Sequence, residues 1–282
     1  MRFRTTTSTI AAAAALGLGM AALATTPAHA APESTATVVH EDSELWYKAG
    51  AGQQNKLTVD EKTEQRGENE YYYILTFRDQ HDIAIDASAA EADECTYPTE
   101  GDRTAVQCAV LIPQNSDDSD NYDIDLGDMD DTATLGPDSD AYVGVYGGPG
   151  NDTLTGNAAP TFHGGDGDDS IDGGGGVFGF GSYGDAGDDT LVNCAQDCFG
   201  GPGNDELTGT DEDNTLHGDD GNDVIRGGGG ADVLYGGRHD DELYGEDGAD
   251  TIWGNSGNDV LWGGAGTDTL SGGPGRNEVH QD

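Results

Sequence analysis

The sequence predicts an all-β fold, a stack of short strands preceded by a small β-rich segment, and three observations carry that prediction. Residues 200–280 divide into nine consecutive blocks of nine, from GGPGNDELT to GGPGRNEVH, with no insertion or deletion. The eighth residue of every block is aliphatic, from Leu207 to Val279, with mixed neighbours, as in a three-residue strand with one side chain turned inward. Between residues 31 and 119, bursts of aromatic and β-branched residues alternate with polar turns, and no long stretch has a helical period.

The first thirty residues read as a secretory leader. Arg2 and Arg4 make a basic start, Ile10 to Leu23 is an apolar run rich in small residues, and Ala28-His29-Ala30 has the form of a cleavage site. The run is too short to cross a membrane as a helix, and nothing later resembles a span, so integral membrane association is not expected. The expectation is a mature chain that begins near Ala31 and is secreted to the extracellular space. Thiols oxidise there, so the four cysteines predict two disulfides. Of three possible connectivities, loop length favours Cys95 with Cys108 and Cys194 with Cys198. A zinc site has the wrong spacing and too few histidines.

Leu45-Trp46-Tyr47, Leu57-Thr58-Val59, Tyr71 to Phe77, Ile83-Ala84-Ile85 and Val106 to Ile112 read as strands of a small domain over 31–119, with a hairpin-like element closed by Cys95 and Cys108. Enzymatic chemistry would have to sit here, and the motifs fail. There is no HExxH; His40-Glu41 is an isolated pair, and His81-Asp82 lacks a nucleophile at a recognisable spacing. Ser182 and Ser256 approach a GxSxG elbow but lie in glycine turns. GxGxxG matches at 174–179 and 179–184 are what composition alone produces in a glycine-rich region, and no crossover helix follows. No catalytic residue is expected, and the segment suits a cap over the exposed edge of a strand stack.

A second domain is expected over 120–282. Asp120 to Leu135, after a short polar link at Pro113 to Asp118, looks like the transition, with a degenerate unit that puts Asp131 at the sixth position. GGPGNDTLT, GGDGDDSID and GDAGDDTLV follow, with Asp152, Asp169 and Asp189 sixth. Between them Gly156 to His163 and Gly173 to Tyr183 lack that aspartate and reach the stack through Phe162 or Phe178. Their metal sites are expected to be patchy. Asn193 to Phe199 falls two residues short of nine, an abbreviated turn that a Cys194–Cys198 bridge would pin.

In the regular blocks the first four positions are rich in glycine, which turns where a Cβ would clash. The sixth holds Asp205, Asp223, Asp232, Asp241, Asp250, Asp259 and Asp268, with Asn214 and Asn277 as exceptions. A hard oxygen ligand therefore recurs at fixed spacing. Nine inward aliphatics are few for the entropy of ordering so long a segment. Stacking also brings successive carboxylates about 4.8 Å apart, a repulsion of roughly 3 to 4 kcal/mol per neighbouring pair at an effective dielectric of about 20. Without a cation the stack is not expected to form. A divalent ion between the carboxylates reverses that sign, and its binding free energy becomes folding free energy. Flexible, carbonyl-rich oxygen cages suit calcium better than magnesium.

These blocks resemble the hemolysin-type RTX repeat GGxGxDxUx of secreted bacterial calcium-binding proteins. The resemblance implies a right-handed parallel β-roll in which two units make one turn. It also implies a Ca²⁺ between same-side units two apart, held by sixth-position aspartates and glycine-loop carbonyls. The implied metal ligands are Asp152, Asp169, Asp189, Asp205, Asp223, Asp232, Asp241, Asp250, Asp259 and Asp268. Nine units give seven same-side pairs, and the two pairs that include an asparagine should be weaker or empty. Many members of this family use a C-terminal export signal. An N-terminal leader departs from that pattern and argues against a large toxin or protease of that export class.

Charge bounds the partners. The net charge is −44, and residues 120–282 hold 36 acidic against 3 basic side chains. Nucleic acid is therefore not an expected partner, and an anionic membrane surface could be met only through bridging calcium. The expected function is calcium-dependent and non-catalytic, structural or adhesive. The alternatives are a calcium-dependent extracellular enzyme and a polysaccharide-binding module. The module would use Tyr235, Tyr244, Trp253 and Trp262 at the ninth position, with Tyr235 near Trp253 on one face and Tyr244 near Trp262 on the other. Such pairs could meet sugar rings or a cell-surface partner, or simply stack across strands.

Overall fold

The computed structural model describes residues 35–112, 120–137, 141–157, 160–173 and 181–282. The leader expected at 1–30, the link at 113–118 and Phe178 lie outside them. The chain begins with β1 (Ala36–Glu41), β2 (Glu44–Lys48), β3 (Lys56–Gln65), β4 (Tyr71–Arg78), β5 (Ile83–Ile85), α1 (Ala87–Ala92) and β6 (Ala105–Leu111). All five strands expected in this segment form. β1 and α1 were not foreseen: α1 is too short to show a period, and its start is fixed by Asp86, whose side chain accepts the Ser88 N–H. β1 carries only a brief β-branched signal and is held by antiparallel pairing to β2 and parallel pairing to β5.

Both expected disulfides are present, Cys95–Cys108 and Cys194–Cys198. The first closes the hairpin-like element, where Thr96 and Gln107 exchange backbone hydrogen bonds of 2.8 and 2.9 Å.

From β7 (Asp120–Asp125) and β8 (Thr132–Leu135) onward the chain is a parallel β-roll. Sixteen further strands, from Tyr142–Pro149 to Glu278–His280, alternate between two twelve-stranded sheets. Each strand pairs with the one two places before it. One sheet aligns Leu216, Leu234, Ile252 and Leu270, and the other Leu207, Ile225, Leu243, Leu261 and Val279. Those aliphatics are the core. They are fully buried up to Leu261, as is Phe162 from an imperfect unit, whereas Leu270 is half-buried and Val279 is 47% exposed. Both belong to the last pair of strands, Thr269–Ser271 and Glu278–His280. At the other end β2 pairs in parallel with β7 and β3 with β8, so the N-terminal strands continue both sheets and leave β5 and β6 outermost.

Ninth-position rings on one sheet form a longer stack than the sequence suggested. Tyr146, His163, Tyr183, Phe199, His217, Tyr235 and Trp253 follow one another with centroids 4.6–5.1 Å apart and planes within 14°. On the other sheet Tyr244 is in register with Trp262, as expected, but the Trp262 ring stacks on His280 at 3.8 Å.

Candidate metal centre

The first six residues of each unit make the turn between sheets, and backbone geometry explains its residue types. The second position repeatedly takes a left-handed φ, 120° at Gly237 and 94° at Gly264. Asp219, Glu246 and Asn255 adopt it too, at 75°, 74° and 66°. Glycine does so without steric cost, and the exceptions are polar residues at exposed corners. The first position needs glycine for a different reason. A Cβ on Gly218 would press on Asp223 Oδ2 and lie 2.6 Å from the Gly236 carbonyl oxygen. On Gly263 it would lie 2.5 Å from Asp268 Oδ2 and 2.9 Å from the Gln281 oxygen. Beside that glycine, a carboxylate oxygen from one turn and a carbonyl oxygen from the next therefore converge.

The sixth-position residues build two ladders. Along the first edge run Asp131, Asp152, Asp169, Asp189, Asp205, Asp223, Asp241, Asp259 and finally Asn277. The backbone N–H of each donates to Oδ1 of the next at 2.7–3.2 Å. Along the second edge Asn214, Asp232, Asp250 and Asp268 are joined in the same way at 2.8–3.1 Å. All ten aspartates proposed from the sequence stand in these ladders. Asp131, which the sequence placed at the sixth position without making it a ligand, joins them. In the irregular half every sixth-position aspartate from Asp131 to Asp205 lies on the first edge.

Each carboxylate spends Oδ1 on its neighbour's N–H. Oδ2 of all eleven aspartates is buried and accepts no hydrogen bond. From Asp131 to Asp259 these residues are at most 3% exposed. A buried carboxylate oxygen with no donor is costly, and a row of them is a row of missing partners. Among the described residues no three His, Cys, Asp or Glu side chains converge. A cation here would therefore draw on one or two carboxylates together with backbone carbonyls, the donor types of a hard, flexibly coordinated ion. The residues present fit Ca²⁺.

Burial is the first cause of the raised pKa values along the ladders. It pushes Asp241 up to about 8, Asp169 and Asp205 to about 7, and Asp152, Asp189, Asp223 and Asp232 to about 6. Asp250 and Asp259 are raised as well. The accepted N–H opposes the shift, and neighbouring carboxylates add to it. The sequence argument put mutual repulsion first; the structure puts desolvation first, because each carboxylate is shielded by the turns above and below.

These shifts fix the sign of a pH response. The ion-free roll holds more protons than the unfolded chain between about pH 4 and pH 8, so its stability falls as pH rises through that window. Acidifying metal-free protein from pH 8 to pH 5 is expected to recover β-sheet signal in circular dichroism and to weaken calcium binding. Loss of structure over that range would contradict the burial of these groups.

A second, exposed row was not foreseen. Fifth-position N–H groups donate backward, Asn151 to Asp130 Oδ1 at 3.0 Å and Asn258 to Asp240 Oδ1 at 2.7 Å. The recurrent Asn-Asp and Asp-Asp pairs were its signal.

The family model described as RTX calcium-binding nonapeptide repeat (4 copies) matches residues 145–159, 161–177, 199–234, 217–252 and 244–279. No curated protein matches the chain. With turns, ladders and orphaned oxygens of this kind recurring through the matched segments, residues 145–279 carry RTX calcium-binding nonapeptide repeats.

Proposed function

We propose that this is a secreted, non-catalytic calcium-binding protein whose roll folds as Ca²⁺ binds between successive glycine-aspartate turns, in a structural or adhesive role. One observation carries the reading: eleven buried Oδ2 atoms lack a hydrogen-bond donor, in a ladder where next-turn carbonyls converge on the same spaces. Bound there, Ca²⁺ supplies the positive charge that the carboxylates lack. The chain's own residues do the rest. The Oδ1 rungs fix each carboxylate plane, first-position glycine keeps the cradle open, and the aliphatic at the eighth position anchors each turn to the core. Calorimetric calcium titration of the chain from Ala31 tests this. Binding heat and folding are expected to appear together, and the absence of binding at extracellular calcium concentrations would refute the reading. Release from the cell rests on the leader at 1–30, and N-terminal sequencing of the exported protein should begin near Ala31.

Sugar recognition by the ring stack draws less support. A pyranose needs an open ring face, and from His163 to Tyr235 both faces are covered by neighbours. Only beyond Trp253, whose register partner is Ser271, does a face open. Phe199→Ala is therefore expected to lower stability in saturating calcium by about 1 to 3 kcal/mol, two stacking contacts' worth, as a shift in denaturant midpoint. Trp253→Ala combined with Trp262→Ala should leave retention on cell-wall polysaccharide unchanged. Abolished retention would restore the polysaccharide-binding reading.

A further inference from the structure

The first ladder does not begin at Asp131. Asn55 donates its backbone N–H to Asp131 Oδ1 at 2.5 Å, the same rung that Asp131 makes to Asp152. Thr132 N–H donates to the Asn55 carbonyl at 3.1 Å, as Thr153 does to Asp131 at 2.9 Å. Lys56 and Leu57 align with Thr132 and Ala133 in the parallel register that the repeats use. Counted back from Asn55, the sequence GAGQQNKLT at 50–58 is a nonapeptide, with glycine first, asparagine sixth and leucine eighth. It lies outside the segments that the family model matches. The N-terminal segment thus contains a disguised turn of the roll.

What Asn55 does there differs from what an aspartate does. In regular turns Oδ2 lies beside the first-position carbonyl of the next turn, two oxygens that call for a cation. The equivalent carbonyl for Asn55 is that of Leu126, and Asn55 Nδ2 donates to it directly at 3.2 Å. The same amide donates to the Gln53 carbonyl at 3.2 Å and reaches Asp131 Oδ1 at 3.3 Å. An N–H donor stands where the other turns place an anion, and oxygens gather around it. The other sixth-position asparagines also stand at ladder ends: Asn277 closes the first ladder and donates to the Gly273 carbonyl at 3.0 Å, and Asn214 opens the second. Every interior place is aspartate.

We infer that Asn55 sets the start of the calcium ladder: its amide replaces the ion at the junction between turn 50–58 and turn 126–134. The N-terminal segment then keeps its structure without calcium and presents a finished turn on which the calcium-dependent turns stack. This rests on the calcium reading for the rest of the roll. A neutral amide is required there, because a carboxylate at residue 55 would add a buried charge next to Asp131. Asn55 Oδ1 and Gln53 Oε1 accept no hydrogen bond, so an ion held through amide oxygens is the competing arrangement.

Hydrogen exchange on the full chain, in chelator and in saturating calcium, separates the two. Peptides covering 44–59 are expected to stay protected in both, while peptides from 200–280 gain protection only with calcium. Asn55→Asp is expected to speed exchange of 44–59 in chelator by about a hundredfold, the size of effect an uncompensated buried charge produces, and calcium should reverse it. Asn55→Ala, which removes the donor without adding charge, should lose protection in chelator without recovery specific to 44–59 in calcium. The inference is overturned if wild-type 44–59 needs calcium for protection, or if Asn55→Asp exchanges like wild type in chelator. Peptides from 200–280 judge the calcium reading separately: if they ignore calcium, that reading fails, while the Asn55→Asp comparison still decides the role of Asn55.

Discussion

In excess chelator at neutral pH, the roll from Gly147 to His280 is expected to unfold, and millimolar calcium to restore it. Far-UV circular dichroism should lose most of its β-sheet signal and regain it on calcium addition. The size of the effect follows from the ladders. At pH 7 eleven carboxylates sit in buried positions with Oδ2 lacking a donor. Ionising the ten from Asp131 to Asp259, whose pKa values burial raises, costs energy that the single aliphatic per unit cannot offset. Such a stack is quasi-one-dimensional, so turns that lose their ion also lose the neighbour that buries them. A spectrum unchanged between chelator and calcium would mean that the sheets hold without the cation.

Gly218→Ala is expected to be strongly destabilising although it adds only a methyl group. Its methyl group would press on Asp223 Oδ2 and lie 2.6 Å from the Gly236 carbonyl oxygen, inside the space where the ligands converge. The Asp223 carboxylate cannot swing away without breaking its Oδ1 rung to Asp205 N–H, and the Gly236 oxygen is fixed backbone. The expected loss is about 3 kcal/mol or more in calcium-saturated stability, together with one binding site. Gly229→Ala is the control. A Cβ there meets nothing closer than 3.4 Å, and its φ lies outside the left-handed region, so stability should change little. Thermal melts and calcium stoichiometry of the two variants are the measurement, and equal effects would remove the argument that glycine keeps an ion cradle open.

Much of this was legible in the sequence because a repeat states the same rule many times. Strand positions, the inward residue and the ligand type are local properties of nine residues, and each of the ten proposed aspartates reached a ladder. Both disulfides were legible for a similar reason, since each closes a short loop. Less was legible where length varied. The units around Gly156 and Gly173 break the nine-residue count, so the edge to which the next aspartate belongs cannot be read by periodicity. The ring stack was underestimated because His163, Tyr183 and Phe199 lie in those irregular units. Turn 50–58 was hidden because a long antiparallel excursion, β4 to β6, separates it from the next turn of the roll.

The sequence alone determined the period and the recurrence of hard oxygen ligands, and made a divalent ion the expected partner, since these follow from which residues recur and how few of them are apolar. Only the tertiary structure decided that one edge carries a continuous ladder from Asn55 to Asn277 while the other, among the described residues, carries rungs from Asn214 to Asp268. It alone also showed that burial, more than mutual repulsion, raises the carboxylate pKa values. The reason is that edge membership and desolvation belong to stacked turns: a single unit has neither an edge nor an interior until its neighbours close over it.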